Sequence, residues 1–222
     1  MKMENRIIPT IFEYNREEFD DRFNRLIKIS NRIQIDFMDG LFVKMGGIGL
    51  IDIPNLDRYK KIRFEAHLMC YHPEKMINGL RKKGFKKIIF HYEAMEDEDK
   101  VGRIIDEIKN LGMEAWIALN PETETGEILS FYKKLDGVMF MGHRPGIEHI
   151  NFVESVYEKI ERFRSVAKKT KIEVDGGVNL ENIEKLAKIG VNYLSVGSLI
   201  ENSADAKELK ERMNKLFEKA FP

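Results

Sequence analysis

Three polar side chains interrupt apolar runs in a way that could gather acid–base chemistry in one place. They are Asp36 in Gln34-Ile35-Asp36-Phe37-Met38-Asp39-Gly40, His67 in Glu65-Ala66-His67-Leu68-Met69, and Asp175 in Glu173-Val174-Asp175-Gly176-Gly177. Burying a carboxylate without a partner is costly, so Asp36, inside its apolar run, points to function. Asp39, followed by Gly40, fits a turn cap instead. If the three converge, two carboxylates and an imidazole supply the oxygen and nitrogen donors of a divalent-cation site. The same two carboxylates could remove a proton beside a ketone and return one to the opposite face, with the cation stabilising the enediolate between the two transfers. The imidazole of His67 suits either a metal ligand or a hydrogen-bonded core residue, and His91 in Phe90-His91-Tyr92-Glu93 suits the wall of a site.

Two further segments could hold an anion. Gly176-Gly177 follows Asp175, and Gly197-Ser198 precedes a helix expected near Ser203. Backbone N–H groups in such turns, with a helix N-terminus, can face a phosphate without any cationic side chain.

These residues need a scaffold that brings distant segments together. Strand-like runs lie at 6–11, 33–37, 62–67, 87–90, 114–119, 137–141, 171–174 and 193–196, separated by stretches with helical periodicity such as Phe19, Phe23, Leu26, Ile27 and Val101, Ile104, Ile105, Ile108. Asn15 with Glu18 fits a helix cap, and Gly84, Gly112 and Gly190 fit helix ends. Eight such units without a linker favour a single (β/α)8 TIM barrel over 1–222, with the glycine loops after strands 7 and 8 where that fold often binds phosphate. A doubly wound sheet would want a glycine turn after its first strand, where Phe12-Glu13-Tyr14-Asn15 stands. In the barrel, side chains two apart face the same way, so Gln34 and Asp36 both point inward.

Composition narrows the partners. Lys+Arg 37 against Asp+Glu 37 leaves no basic excess for a nucleic-acid surface. The longest apolar run, 115–119, is far short of a membrane span. A single cysteine, Cys70, and a start without an apolar signal core lead us to expect a cytoplasmic protein.

Taken together, these segments resemble the ribulose-phosphate 3-epimerase family. Gln34-Ile35-Asp36-Phe37-Met38-Asp39-Gly40 resembles its second-strand signature, Ala66-His67-Leu68-Met69 its third-strand motif, and Ile172-Glu173-Val174-Asp175-Gly176-Gly177-Val178-Asn179 its most recognisable stretch. Weaker likenesses run in order from Pro9-Thr10 through Phe90-His91-Tyr92-Glu93-Ala94, Leu119-Asn120-Pro121-Glu122-Thr123 and Pro145-Gly146 to Gly197-Ser198. The resemblance implies epimerisation at C3 of a ketose phosphate, D-ribulose 5-phosphate to D-xylulose 5-phosphate, with Asp36 and Asp175 as the acid–base pair. It implies a divalent cation (zinc, ferrous iron, manganese or cobalt) held by Asp36, His67 and Asp175. Met38, Met69 and Met141 match methionines beside the enediolate, although residue type alone suggests core filler. Thr10 matches a substrate-contacting serine, and Gly146, Gly177, Gly197 and Ser198 match phosphate-binding positions. The partner implied is a small sugar phosphate, with no nucleic acid or membrane; a homo-oligomer is compatible.

Three departures modify these implications. Gln34 stands where the family has its first metal-binding histidine, and an amide oxygen is a poorer ligand for zinc or ferrous iron than imidazole, so binding is expected to be weakened or absent. The loop Pro145-Gly146-Ile147-Glu148-His149-Ile150 lacks the family's further glycines, and Glu148 would oppose a phosphate. The loop Phe42-Val43-Lys44-Met45-Gly46-Gly47-Ile48-Gly49-Leu50 also departs, leaving Lys44 or Arg144 to compensate the phosphate charge. Two alternatives follow: an epimerase for a ketohexose 6-phosphate, and a non-catalytic phosphosugar-binding barrel. A decarboxylase of the related barrels is disfavoured, because those carry a lysine between the two second-strand aspartates, where Phe37 and Met38 stand.

Overall fold

The computed structural model describes residues 5–147 and 150–222. Eight parallel strands run in order: β1 (Ile7–Ile11), β2 (Arg32–Met38), β3 (Arg63–Met69), β4 (Lys87–His91), β5 (Glu114–Leu119), β6 (Gly137–Met141), β7 (Lys171–Asp175) and β8 (Tyr193–Val196). Each pairs with the next, and β8 returns to β1 through Ile7 opposite Leu194, closing the barrel expected from the sequence.

Alternation along each strand sorts the side chains. On β2, Ile33, Ile35 and Phe37 join the large outer core, while Gln34, Asp36 and Met38 take the opposite face. β3 repeats this with Phe64, Ala66 and Leu68 outside, so that Glu65, His67 and Met69 lie beside Gln34, Asp36 and Met38 in register. Inside the barrel Ile8, Ile89, Trp116, Ala118, Met139, Met141 and Tyr193 pack as a second cluster. Both faces of every strand are thus buried, as a parallel sheet requires.

Seven α-helices surround the barrel: α1 (Arg16–Leu26), α2 (Glu74–Lys83), α3 (Glu98–Asn110), α4 (Ser155–Val166), α5 (Ile183–Lys188), α6 (Ser198–Glu201) and α7 (Ala206–Ala220), among the described residues. Asn15 caps α1 by accepting from the Glu18 N–H at 3.0 Å, and Gly84 ends α2 with φ 102°. The alternation of strand and helix is not complete. Between β2 and β3, and between β5 and β6, only the 3-10 turns Leu56–Arg58 and Thr125–Ile128 form. The first of these connections carries Gly40, Gly46, Gly47, Gly49 and Pro54, and the second Pro121 and Gly126, residues that break helical runs. The helix expected near Ser203 also shifts. α6 starts directly at Ser198, Ser203 lies in the following turn, and Asp205 caps α7 through the Glu208 N–H at 2.8 Å.

Candidate active site

The C-terminal strand ends bring Asp36, His67 and Asp175 together, with candidate ligand atoms all within 4.8 Å of one another. His67 Nδ1 lies 3.1 Å from Asp36 Oδ1 and 3.5 Å from Asp175 Oδ2. The Gln34 amide sits between the same aspartates, with Nε2 donating to Asp36 Oδ1 at 2.8 Å and to Asp175 Oδ2 at 2.6 Å. Its Oε1 accepts from Ser195 Oγ at 2.9 Å. Two carboxylates and an imidazole this close form a donor set that suits a divalent cation. Gln34 presents an N–H there, so it completes that set only with its oxygen turned inward.

A chain of hydrogen bonds fixes His67 from behind. Its Nε2 lies 2.9 Å from His91 Nε2, and His91 Nδ1 lies 3.3 Å from Glu93 Oε2. The Asn120 N–H at 2.7 Å and the Thr123 hydroxyl donate to the other oxygen of Glu93. Burial lowers the pKa of His91 and keeps it neutral despite Glu93. A neutral His91 that donates from Nδ1 to Glu93 must accept at Nε2, so His67 carries a proton on Nε2 and turns Nδ1 to the aspartates.

The two aspartates are pushed apart electrically. Burial raises Asp36, an effect that its bond to His67 only partly offsets, with the charge of Asp175 adding to the rise. Burial acts on Asp175 too, but donors from His67 and Gln34 outweigh it and hold this carboxyl below its usual value. Burial depresses His67 less than Asp175 and Asp36 raise it, and its pKa is pushed up to about 9. A pair of carboxyls with opposite tendencies is what acid and base roles need.

Above this cluster lies a cavity lined by Thr10, Met69, Met141, Gly146, Gly177, Gly197 and Ser198, together with the three donors. Met38 is not among the lining residues; it packs with Phe12, Val43 and Met69, as a core methionine would. Close packing accounts for two of the glycines. A Cβ on Gly177, whose φ is 67°, would stand 2.7 Å from the Phe152 nitrogen, and one on Gly146, φ 77°, would stand 2.6 Å from Val43 Cβ. Thr10 Oγ1 approaches Gly197, at 2.8 Å from where a Cβ would be.

One expectation about the loops changes. Neither Lys44 nor Arg144 lines the cavity, and Arg144 pairs at the surface with Glu122 at 2.6 Å. Glu148 lies outside the described residues. His143, which no sequence pattern singled out, does line the cavity, with Nδ1 2.8 Å from the Arg144 carbonyl. Asp39 is the turn cap its neighbour Gly40 suggested, accepting from the N–H groups of Leu41 and Phe42 at 2.8 Å.

A closed parallel barrel whose C-terminal mouth holds an Asp–His–Asp cluster between glycine-bearing loops places the chain among (β/α)8 enzymes, whose sites lie at that mouth. The chain belongs to the ribulose-phosphate 3 epimerase family, which it matches over residues 6–200. It is 30% identical over 208 residues to the ribulose-phosphate 3-epimerase of Schizosaccharomyces pombe, covering 92% of this chain and 90% of the relative. The Bacillus subtilis ribulose-phosphate 3-epimerase is 33% identical over 181 residues, covering 79% and 82%. Among solved structures, 3-hexulose-6-phosphate synthase from Salmonella typhimurium aligns with a TM-score of 0.73 at 14% identity, over 97% of this chain and 99% of that one. Orotidine 5'-phosphate decarboxylase from Pyrococcus horikoshii aligns with a TM-score of 0.65 at 19% identity, over 96% and 99%. At those identities the likeness is one of fold alone. No described helix is long and apolar enough to cross a membrane.

Proposed function

We propose that the protein epimerises C3 of a ketose phosphate, interconverting D-ribulose 5-phosphate and D-xylulose 5-phosphate. The observation that carries this reading is the approach of Asp36 and Asp175 to one imidazole nitrogen, at 3.1 and 3.5 Å, at the floor of the cavity. With the substrate between them, one carboxylate takes the C3 proton, the electron pair passes into the enediolate, and the carboxylic acid opposite returns a proton to the other face. Asp36, His67 and Asp175, with Gln34 through its oxygen, would hold a divalent cation such as zinc, ferrous iron, manganese or cobalt. When bound, that cation supplies positive charge to the enediolate oxygens.

The walls fit the same purpose. Met69 and Met141 are 2% and 3% exposed and offer an apolar surface that keeps water from the enediolate. Gly146, Gly177, Gly197 and Ser198, with the hydroxyl of Thr10, suit the phosphate end. Backbone donors need no surplus of lysine or arginine, so a neutral chain is compatible with an anionic substrate. A cytoplasmic setting, expected from the lone Cys70, belongs to the same proposal.

A second reading, a ketohexose 6-phosphate as substrate, draws support from Ile147 and Ile150, apolar residues lining the cavity in the altered loop after β6. Relative kcat/KM across pentulose and hexulose phosphates separates the two readings. A phosphosugar that raises the melting temperature but never exchanges its C3 proton would favour the non-catalytic alternative.

A further inference from the structure

Gln34 is fully buried, and its amide is gripped from both ends. Nε2 faces the aspartates and Oε1 faces Ser195 Oγ, which lies a further 2.8 Å from Glu173 Oε1. Glu173 in turn pairs with the ammonium of Lys87, both side chains being wholly buried. A primary amide can be turned over about its last bond with almost no change of shape, exchanging oxygen for nitrogen. Which orientation is satisfied depends on one proton, because the Ser195 hydroxyl can donate only once.

The two orientations make opposite demands. Held beside Lys87, Glu173 is a carboxylate and can only accept. If Ser195 donates to Glu173, its oxygen has only lone pairs left for Gln34 and requires an N–H from it, which turns Oε1 toward Asp36 and Asp175. An amide oxygen at hydrogen-bond distance from two carboxylate oxygens is repelled unless a cation lies among them. If Ser195 donates instead to Gln34, the amide N–H groups span the aspartates and Glu173 loses its hydroxyl donor.

We infer that Gln34 is a two-position ligand, set by Ser195 and Glu173. With a divalent cation on Asp36, His67 and Asp175, the amide turns over and Oε1 joins the ligands. Nε2 then donates to Ser195, and Ser195 donates to Glu173, so that one unbroken run of hydrogen bonds leads from Lys87 to the cation. Without a cation, Nε2 bridges the aspartates in its stead. Ser195 and Glu173 are positioning residues, and the barrel interior thereby compensates for the imidazole that Gln34 replaces. This inference rests on reading Asp36, His67 and Asp175 as a cation site.

The test is a Zn2+ titration of the chelator-stripped protein, read as affinity by competition with a chromophoric chelator and as structure by the side-chain amide NMR signals of Gln34. The wild type should bind one Zn2+, and the Gln34 amide protons should shift as they leave the carboxylates for Ser195. Ser195→Ala should lower Zn2+ affinity about 10- to 100-fold, as loss of an outer-shell partner does, and Ser195→Thr, which keeps the hydroxyl, should restore it. Gln34→Met should lose as much, and combining it with Ser195→Ala should lose little more. Wild-type affinity in Ser195→Ala, with His67→Ala abolishing binding, would overturn the inference and leave the cation site standing. A wild type that binds no Zn2+ would overturn both.

Discussion

The Nε2 atoms of His67 and His91 lie 2.9 Å apart deep in the barrel mouth, and only one of them can own the proton between them. Because Glu93 claims the Nδ1 proton of a neutral His91, that owner is His67, whose Nδ1 is left to the aspartates. Replacing His91 with Phe keeps the bulk but frees the tautomer of His67. Cation affinity and kcat should each fall about 10- to 100-fold with the fold retained, checked by chelator competition beside circular dichroism.

In the proposed mechanism the aspartates work on opposite faces, so removing one should not silence the other. Asp36→Asn and Asp175→Asn should each lower epimerisation by about 10²- to 10⁴-fold, the usual range for a general acid or base. Each variant should still wash deuterium into one epimer without inverting it, and the two variants should label different epimers. Equal labelling of both epimers by either variant would contradict the two-face assignment.

The barrel floor should make stability pH-dependent. Burial and the charge of Glu173 outweigh Lys87 and Arg32 and push Glu65 up to about 8. Its folded pKa therefore lies above the unfolded one, so the folded chain binds more protons between them. That stabilisation is fully present below the unfolded carboxyl pKa and is lost as pH rises through about 8. Glu65→Gln, which mimics the protonated form, should lose less melting temperature than the wild type between pH 6 and 9.

Much of this was legible in the sequence. Short apolar runs between helix-periodic stretches located all eight strands, because a parallel barrel buries both faces of each strand and leaves apolar runs of the right length between polar loops. Asp36, His67 and Asp175 stood out as polar residues at the ends of such runs. Ser195 did not, since one small hydroxyl in Tyr193-Leu194-Ser195-Val196 carries no periodic signal and its partner Gln34 lies 161 positions away. The loops proposed for phosphate were readable as glycines but not as charge: Lys44 and Arg144 looked suitable from their charge alone, while the imidazole that lines the cavity is His143. Closure of the barrel, which no local pattern encodes, decides that.

Gly177 supports both the turn and the cavity. Its φ of 67° and the 2.7 Å approach of Phe152 leave no room for a methyl group. Gly177→Ala should cost more than about 1 kcal/mol in urea denaturation and raise KM for the phosphorylated substrate while sparing binding of Zn2+.

Cys70 offers an independent check on packing. The thiol is 4% exposed and burial pushes it up to about 12, so the native protein should resist iodoacetamide at neutral pH and react only when unfolded. Rapid labelling of the native chain would show that the β2–β3 face is open.

The most direct test of the central claim is C3 proton exchange in deuterated water, followed by NMR on D-ribulose 5-phosphate with and without a chelator. Deuterium should enter at C3 as D-xylulose 5-phosphate appears, stop when divalent cations are removed, and resume when they are restored. Binding of the sugar phosphate with no exchange under any of zinc, ferrous iron, manganese or cobalt would contradict it.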